Sequence, residues 1–139
     1  MLRSKRKSGL ILALDLPDLD QATGLTLTVS DLVDVIKVGL PLLLSADLRT
    51  VVRKLKKETD LPILADIKVA DVPHITRIVA HAAFEAGADA LTVHGFVGPT
   101  AIEECVREAT CDRDVIVMTE ITHPDAMLFM QQVSEDIAR

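Results

Sequence analysis

The segment ILADIKVADVPH, residues 63–74, decides the fold assignment because charged residues interrupt an otherwise apolar strand near its end. Strand periodicity places Asp66 and Lys68 on the same face as Leu64. The apolar side chains that point the other way are those of Ile63, Ala65, Ile67 and Val69. Asp71 follows three residues after Lys68, where the strand gives way to the loop before Pro73. The segment therefore predicts a buried strand with its charges on one face and at its C-terminal end.

Similar apolar runs, rich in Val, Ile and Leu, recur along the chain. They are GLILALDL (9–16), VDVIKVGL (33–40), PILADIKV (62–69), ADALTVHGF (88–96) and DVIVMTEIT (114–122). Their starts lie between 24 and 29 residues apart, the length of one strand, one helix and two loops.

Stretches with helical periodicity separate these runs. Residues 45–60 start with Ser45, a candidate N-cap, and keep an apolar face made of Leu48, Val51, Val52 and Leu55. Residues 73–87 begin with a proline, which suits a first helical turn, and end at Gly87, which suits a C-cap. Residues 98–110 and 124–139 follow the same pattern. The chain therefore predicts five consecutive βα units.

Strands that are apolar on both faces need cover on both faces, which helical crossovers provide in a parallel sheet. Both a doubly wound sheet and a (β/α)8 barrel meet this need. In a barrel, the ends of several strands build one site. This favours the barrel here, because polar residues lie at or just past the C-terminal ends of successive strands: Asp15, Lys37, Lys68, His94 and Thr122. No G-x-G-x-x-G follows the first strand, which disfavours a dinucleotide fold. We expect a basic tail at residues 1–8 and a partial TIM (β/α)8-type barrel domain at residues 9–139.

Composition excludes several classes of protein. The net charge of −6 and only three aromatic residues argue against a nucleic-acid partner. The apolar run LILAL is broken by Asp15, so it is too short for a membrane span or a secretory signal. The two cysteines, Cys105 and Cys111, have no nearby histidine at metal-ligand spacing, which predicts reduced thiols and a cytoplasmic protein.

Lys37, predicted at an equivalent height on the neighbouring strand, joins Asp66, Lys68 and Asp71 in a predicted array of alternating charges. Buried charges are tolerated when they are paired and hydrogen-bonded. Such an array can keep a lysine protonated, so that it can act as a proton donor. A fixed carboxylate also repels an anionic substrate group more strongly in the ground state than in a transition state whose charge is dispersed. Decarboxylation is one reaction with this need. The alternative is an edge strand with surface ion pairs of little energetic value.

The run ADIKVADVP resembles the D-x-K-x-x-D signature of the orotidine 5′-monophosphate decarboxylases and their relatives, the 3-keto-L-gulonate 6-phosphate decarboxylases and hexulose-6-phosphate synthases. The last aspartate is followed by Val72 and Pro73, which is similar to the pattern in the orotidylate enzymes. The runs LALDL, VIKVG, VHGF and MTEITHP also resemble archaeal-type members in order and spacing, from Gly9 onward.

The resemblance implies an enzyme of de novo pyrimidine biosynthesis, a carbon-carbon lyase that converts orotidine 5′-monophosphate (OMP) to UMP and CO2. Lys68 would protonate the carbon that the carboxylate leaves, and Asp66 would lie against that carboxylate. Lys37 would bind the ribose and link the charges. The remaining implied substrate contacts come from Asp15 at a ribose hydroxyl and Thr122 at the pyrimidine.

The resemblance also implies a homodimer, in which Asp71 acts in the neighbour's active site and Val72 lines its pocket. Neither a metal nor an organic cofactor is implied. Ile75 stands where the family commonly places a threonine that reaches the ribose. The family's phosphate-binding units would lie beyond Arg139, so we expect a chain truncated after about five βα units. Two alternatives are a magnesium-dependent sugar-phosphate aldolase or decarboxylase, similar to hexulose-6-phosphate synthase, and a non-catalytic half-barrel fragment.

Overall fold

Five parallel strands in one sheet, paired in the order in which they occur in the chain, form the framework of the computed structural model. The structure describes residues 8–110 and 112–139, and of Met127 and Leu128 only the backbone. Cys111 and the predicted basic tail, except Ser8, lie outside the described residues. A doubly wound sheet would reverse its strand order, so the sequential order confirms the predicted partial barrel.

The strands and helices alternate along the described chain. The strands are β1 (Ile11–Leu14), β2 (Val35–Gly39), β3 (Ile63–Val69), β4 (Ala90–His94) and β5 (Asp114–Met118). The helices are α1 (Leu19–Val29), the short α2 (Leu40–Leu43), α3 (Leu48–Glu58), α4 (Pro73–Glu85), α5 (Pro99–Glu108) and α6 (Met130–Ala138). Two 3-10 turns, Gly95–Val97 and Pro124–Leu128, precede α5 and α6, so the helix predicted over residues 124–139 starts as a tighter turn.

Helix ends follow local chemistry. The carboxylate of Asp47 accepts a hydrogen bond from the Thr50 amide at 3.0 Å and caps α3. The prediction of Ser45 as the N-cap is wrong, because its hydroxyl donates to the Leu42 carbonyl at the end of α2. Pro73 begins α4 as predicted, and Gly87 beyond its end has a φ of +99°, which favours glycine.

The main core lies between the sheet and the helices. In one part, Leu14, Ile36 and Ile63 of the strands pack with Val51 and Leu55 of α3. In the second part, the strand residues Ala65, Leu91 and Val93 pack with α4 and α5. Burial on this face is what fixes the helices against the sheet.

The opposite face of the sheet carries a smaller apolar cluster. Val35, Leu64 and Ala90 are buried there, with Ile116 partly buried against them. Register pairing aligns Lys37 with Leu64 and Leu64 with Ala90. Lys37 therefore lies on this face, and Asp66 and Thr92 follow on it two residues further along β3 and β4. Among the residues described, no helix is long and apolar enough to cross a membrane.

Candidate active site

Three charged side chains meet at the C-terminal ends of β2 and β3. Asp66 Oδ2 accepts hydrogen bonds from Lys37 Nζ at 3.0 Å and from Lys68 Nζ at 2.8 Å. The Asp66 side chain is 7% exposed, whereas those of Lys37 and Lys68 are 28% and 38% exposed. We call Lys37, Asp66 and Lys68 the Asp66 cluster; it has a buried anionic centre and two ammonium groups open toward solvent.

Lys37 reaches the cluster from below. Its strand position pairs with Leu64, and Gly39 is the residue that pairs with Asp66. The prediction that Lys37 lies at an equivalent height is therefore wrong by two strand positions, and the long lysine side chain spans the difference.

Lys68 reaches Asp66 through an irregularity in β3. The pairs Ala65–Leu91 and Val69–Val93 are in register, so three residues of β3 lie opposite one residue of β4. Within this bulge, Lys68 has a φ of +51°, and it is the one non-glycine residue with positive φ in the part of the chain that the structure describes. This conformation costs roughly 1–2 kcal/mol for an L-residue, so neighbouring contacts must hold it in place.

Thr92 is the residue of β4 that faces the bulge, and sequence reasoning missed it. Its hydroxyl accepts a hydrogen bond from the Lys68 amide at 2.9 Å and donates one to Asp66 Oδ1 at 2.9 Å. Thr92 is 5% exposed. Strand alternation in ADALTVHGF already placed Thr92 on the same face as His94, so a signal was present in the sequence.

The charge on Asp66 is supported by its partners. Burial raises the pKa of the Asp66 carboxyl, but hydrogen bonds from Lys68, Lys37 and Thr92 lower it, and the net pKa lies below the usual value of 3.8. Asp66 is therefore an anion at neutral pH in spite of its burial.

His94 ends β4 beside the cluster. Burial lowers its pKa, the charge of Lys68 lowers it further, and Asp66 opposes the shift. Its ring lies 4.7 Å from the ring of Phe96. His94 Nδ1 is buried without a hydrogen bond to any described residue.

Asp15, just past β1, lies close to the backbone of β2. A Cβ atom added to Gly39 would stand 2.8 Å from Asp15 Oδ1, so a larger residue here would displace the Asp15 carboxylate from its position. Since Gly39 pairs with Asp66, Asp15 stands at the same edge of the sheet as the Asp66 cluster.

The other predicted site residues do not join the cluster within the described structure. Asp71 is exposed, and its Oδ1 accepts from the Val72 amide at 2.7 Å. Val72 is also exposed, and Ile75 on α4 is partly buried. The adjacent Thr76 offers no replacement for a threonine at that site, because its buried hydroxyl donates to the Asp71 carbonyl.

Thr122 is exposed beyond β5, before the turn into α6. In that turn His123 Nδ1 accepts from the Asp125 amide at 3.2 Å, a loop-shaping contact. Among the described residues, no group of three or more His, Cys, Asp or Glu side chains is arranged to hold a metal ion.

Sequence comparison places the chain among known proteins. The family described as "Orotidine 5'-phosphate decarboxylase / HUMPS family" matches residues 8–139. A protein named "Orotidine 5'-phosphate decarboxylase" from Methanosarcina barkeri is 43% identical over 136 residues, covering 97% of this chain and 60% of the relative. Its namesake from Methanococcoides burtonii is 42% identical and covers 96% of this chain. The chain thus spans about 60% of the length of these relatives.

Solved structures give the same grouping. The crystal structure of orotidine 5'-monophosphate decarboxylase from Methanocaldococcus jannaschii, complexed with inhibitor BMP, superposes with a TM-score of 0.89 at 36% identity. That match covers 96% of this chain and 62% of the other. The Pyrococcus horikoshii decarboxylase superposes with a TM-score of 0.84 at 34% identity, over 91% of this chain and 59% of the other.

Proposed function

Because the chain belongs to the orotidine 5′-phosphate decarboxylase / HUMPS family, we propose that it provides the catalytic cluster of an OMP decarboxylase. The reaction converts OMP to UMP and CO2, a step of de novo pyrimidine biosynthesis, in the cytoplasm and without a metal or organic cofactor. The relatives that share about 40% of its residues carry the decarboxylase name, which supports this member of the family over the sugar-phosphate enzymes.

The geometry of the Asp66 cluster carries the proposal. A substrate carboxylate placed beside the buried Asp66 anion is repelled in the ground state, and the repulsion falls as the negative charge disperses toward the ring in the transition state. The ammonium groups of the two lysines lie 3.0 and 2.8 Å from Asp66 Oδ2. They offset part of the repulsion between Asp66 and the substrate carboxylate, so that the substrate can still bind.

Lys68 then supplies the proton. The bond between the pyrimidine ring and its carboxylate breaks, CO2 leaves, and the electron pair stays on the ring carbon, which takes a proton from Lys68 Nζ. A side chain that is 38% exposed and anchored to Asp66 can reach a substrate without losing its anchor.

The remaining roles concern the rest of the nucleotide. Asp15 and Lys37 bind ribose hydroxyls, and Thr122 contacts the pyrimidine. Asp71 and Val72 serve the site of a second subunit in a homodimer, which fits their exposure and their separation from the cluster of their own chain. Ile75 would line that shared site without donating a hydrogen bond.

The test is to mix the purified chain with OMP and follow the loss of its ultraviolet absorbance. We expect turnover that disappears in Lys68→Ala. Lys54→Ala is the matched control, since Lys54 has a similarly exposed side chain (41%) and pairs with Asp20, at 3.8 Å. Equal traces from the chain and from Lys68→Ala would defeat the catalytic proposal, and turnover lost with excess chelator would favour the magnesium-dependent alternative.

Sedimentation analysis tests the dimer separately. We expect twice the chain mass, whereas a strict monomer would leave Asp71 without a neighbouring site to serve.

A further inference from the structure

We propose that Thr92 is a positioning residue, whose hydroxyl couples the carboxylate of Asp66 to the backbone of Lys68. The catalytic consequence rests on the proposed function, but the coupling itself is a property of this fold that can be measured without substrate.

The direction of the two hydrogen bonds is fixed by chemistry. The Lys68 amide is only a donor, so the Thr92 oxygen must accept at that 2.9 Å contact. The single hydroxyl hydrogen is then free, and ionised Asp66 is only an acceptor, so Thr92 donates to Oδ1 at 2.9 Å. Amide, hydroxyl and carboxylate thus form one directed chain of hydrogen bonds.

The bulge explains why a side chain is needed here. Thr92 is the one β4 residue between Leu91 and Val93, opposite three residues of β3, so the regular backbone ladder is interrupted at this point. The Thr92 hydroxyl takes the place of a backbone carbonyl as acceptor for the Lys68 amide. It thereby supports the backbone conformation of Lys68, with its φ of +51°.

The same hydroxyl also decides which carboxylate oxygen of Asp66 binds which partner. Oδ1 is held by Thr92, which leaves Oδ2 for Lys37 and Lys68. Without the hold on Oδ1, the carboxyl group could rotate about its Cβ–Cγ bond and shift both ammonium groups. Thr92 is 5% exposed, so water cannot readily replace it.

Two substitutions separate the hydroxyl from the shape of the side chain. Thr92→Val keeps the shape and removes the hydroxyl, whereas Thr92→Ser keeps the hydroxyl. Thr26→Val is the matched control, since Thr26 is fully buried in α1 and donates to the Ala22 carbonyl away from the site.

We expect Thr92→Val to raise the pKa of the Asp66 carboxyl, which carbon-detected NMR can measure. In Thr92→Ser and Thr26→Val this pKa should stay near its value in the parent chain. With OMP, kcat should fall about tenfold or more in Thr92→Val with little change in KM, as expected for a lost hydrogen bond to a charged group. Unchanged Asp66 titration in Thr92→Val would overturn the proposal.

A measurement on the unaltered chain covers the case in which Thr92→Val does not fold. A hydroxyl buried in this hydrogen bond should give a slowly exchanging Thr92 proton resonance at neutral pH, and its absence would also overturn the coupling. If the parent chain shows no turnover while both NMR results appear, the proposed function fails for this chain and the coupling stands.

Discussion

Replacing Asp66 with asparagine removes the anionic centre of the cluster while nearly preserving its shape. The side-chain carbonyl of the new asparagine could still accept from Thr92, but its NH2 group would then face the two lysines, donor against donor. In the parent chain, Asp66 Oδ2 accepts two charge-assisted hydrogen bonds, at 2.8 and 3.0 Å. Each such bond contributes about 1.5–3 kcal/mol.

The full sum overstates the loss, because the lysine side chains are 28% and 38% exposed and can turn toward water. We expect Asp66→Asn to lower the free energy of unfolding by about 2–4 kcal/mol at pH 7. Urea unfolding followed by circular dichroism measures this difference. Asp20→Asn is the control, since the Asp20 side chain is 92% exposed and its contact with Lys54 is 3.8 Å long; we expect a change below about 0.5 kcal/mol.

The difference must also depend on pH with a definite sign. In the folded chain the pKa of Asp66 lies below 3.8, because hydrogen bonds from Lys68, Lys37 and Thr92 outweigh the opposing effect of burial. A carboxyl group whose pKa is lowered by folding stabilises the fold at pH values above its ordinary pKa. This stabilisation is lost as the pH falls through the pKa of the group in the folded chain. The gap between the two proteins should therefore shrink at pH 3. A gap that stays constant from pH 7 to pH 3, or a variant as stable as the parent, would refute this account.

Other substitutions and a labelling experiment test three separate features. Gly39→Ala places a Cβ atom 2.8 Å from Asp15 Oδ1 and so displaces that carboxylate. If Asp15 binds the ribose as proposed, UMP binding should weaken about tenfold in calorimetry, and unchanged affinity would contradict that role. Gly95→Ala brings a Cβ atom against the Ile137 side chain and should cost about 1–3 kcal/mol in urea unfolding, with recovery in the double variant that also carries Ile137→Ala. Burial raises the pKa of the Cys105 thiol to about 11. Alkylation of Cys105 at pH 8, followed by peptide mapping, should therefore be slow in the folded chain and fast in urea. Equal rates would contradict the burial of this thiol.

Local patterns in the sequence were sufficient for the order of the elements. Apolar runs rich in branched residues predict the five strands, and the proline and glycine at the ends of residues 73–87 predict the limits of α4, because these signals act within a few residues. The cap of α3 shows the limit of this reasoning: Ser45 and Asp47 are both good caps, and the preceding short helix α2 decides between them by engaging the Ser45 hydroxyl.

The same patterns were enough to establish the kind of fold and the residues that make a charged site plausible, Asp66 and Lys68 above all. How these residues meet became known only from the packed molecule. Lys37 and Thr92 lie 29 and 26 residues from Asp66 along the chain, and their contacts depend on strand register and on the bulge in β3. Register is set by packing between whole strands and helices, so no local pattern specifies it.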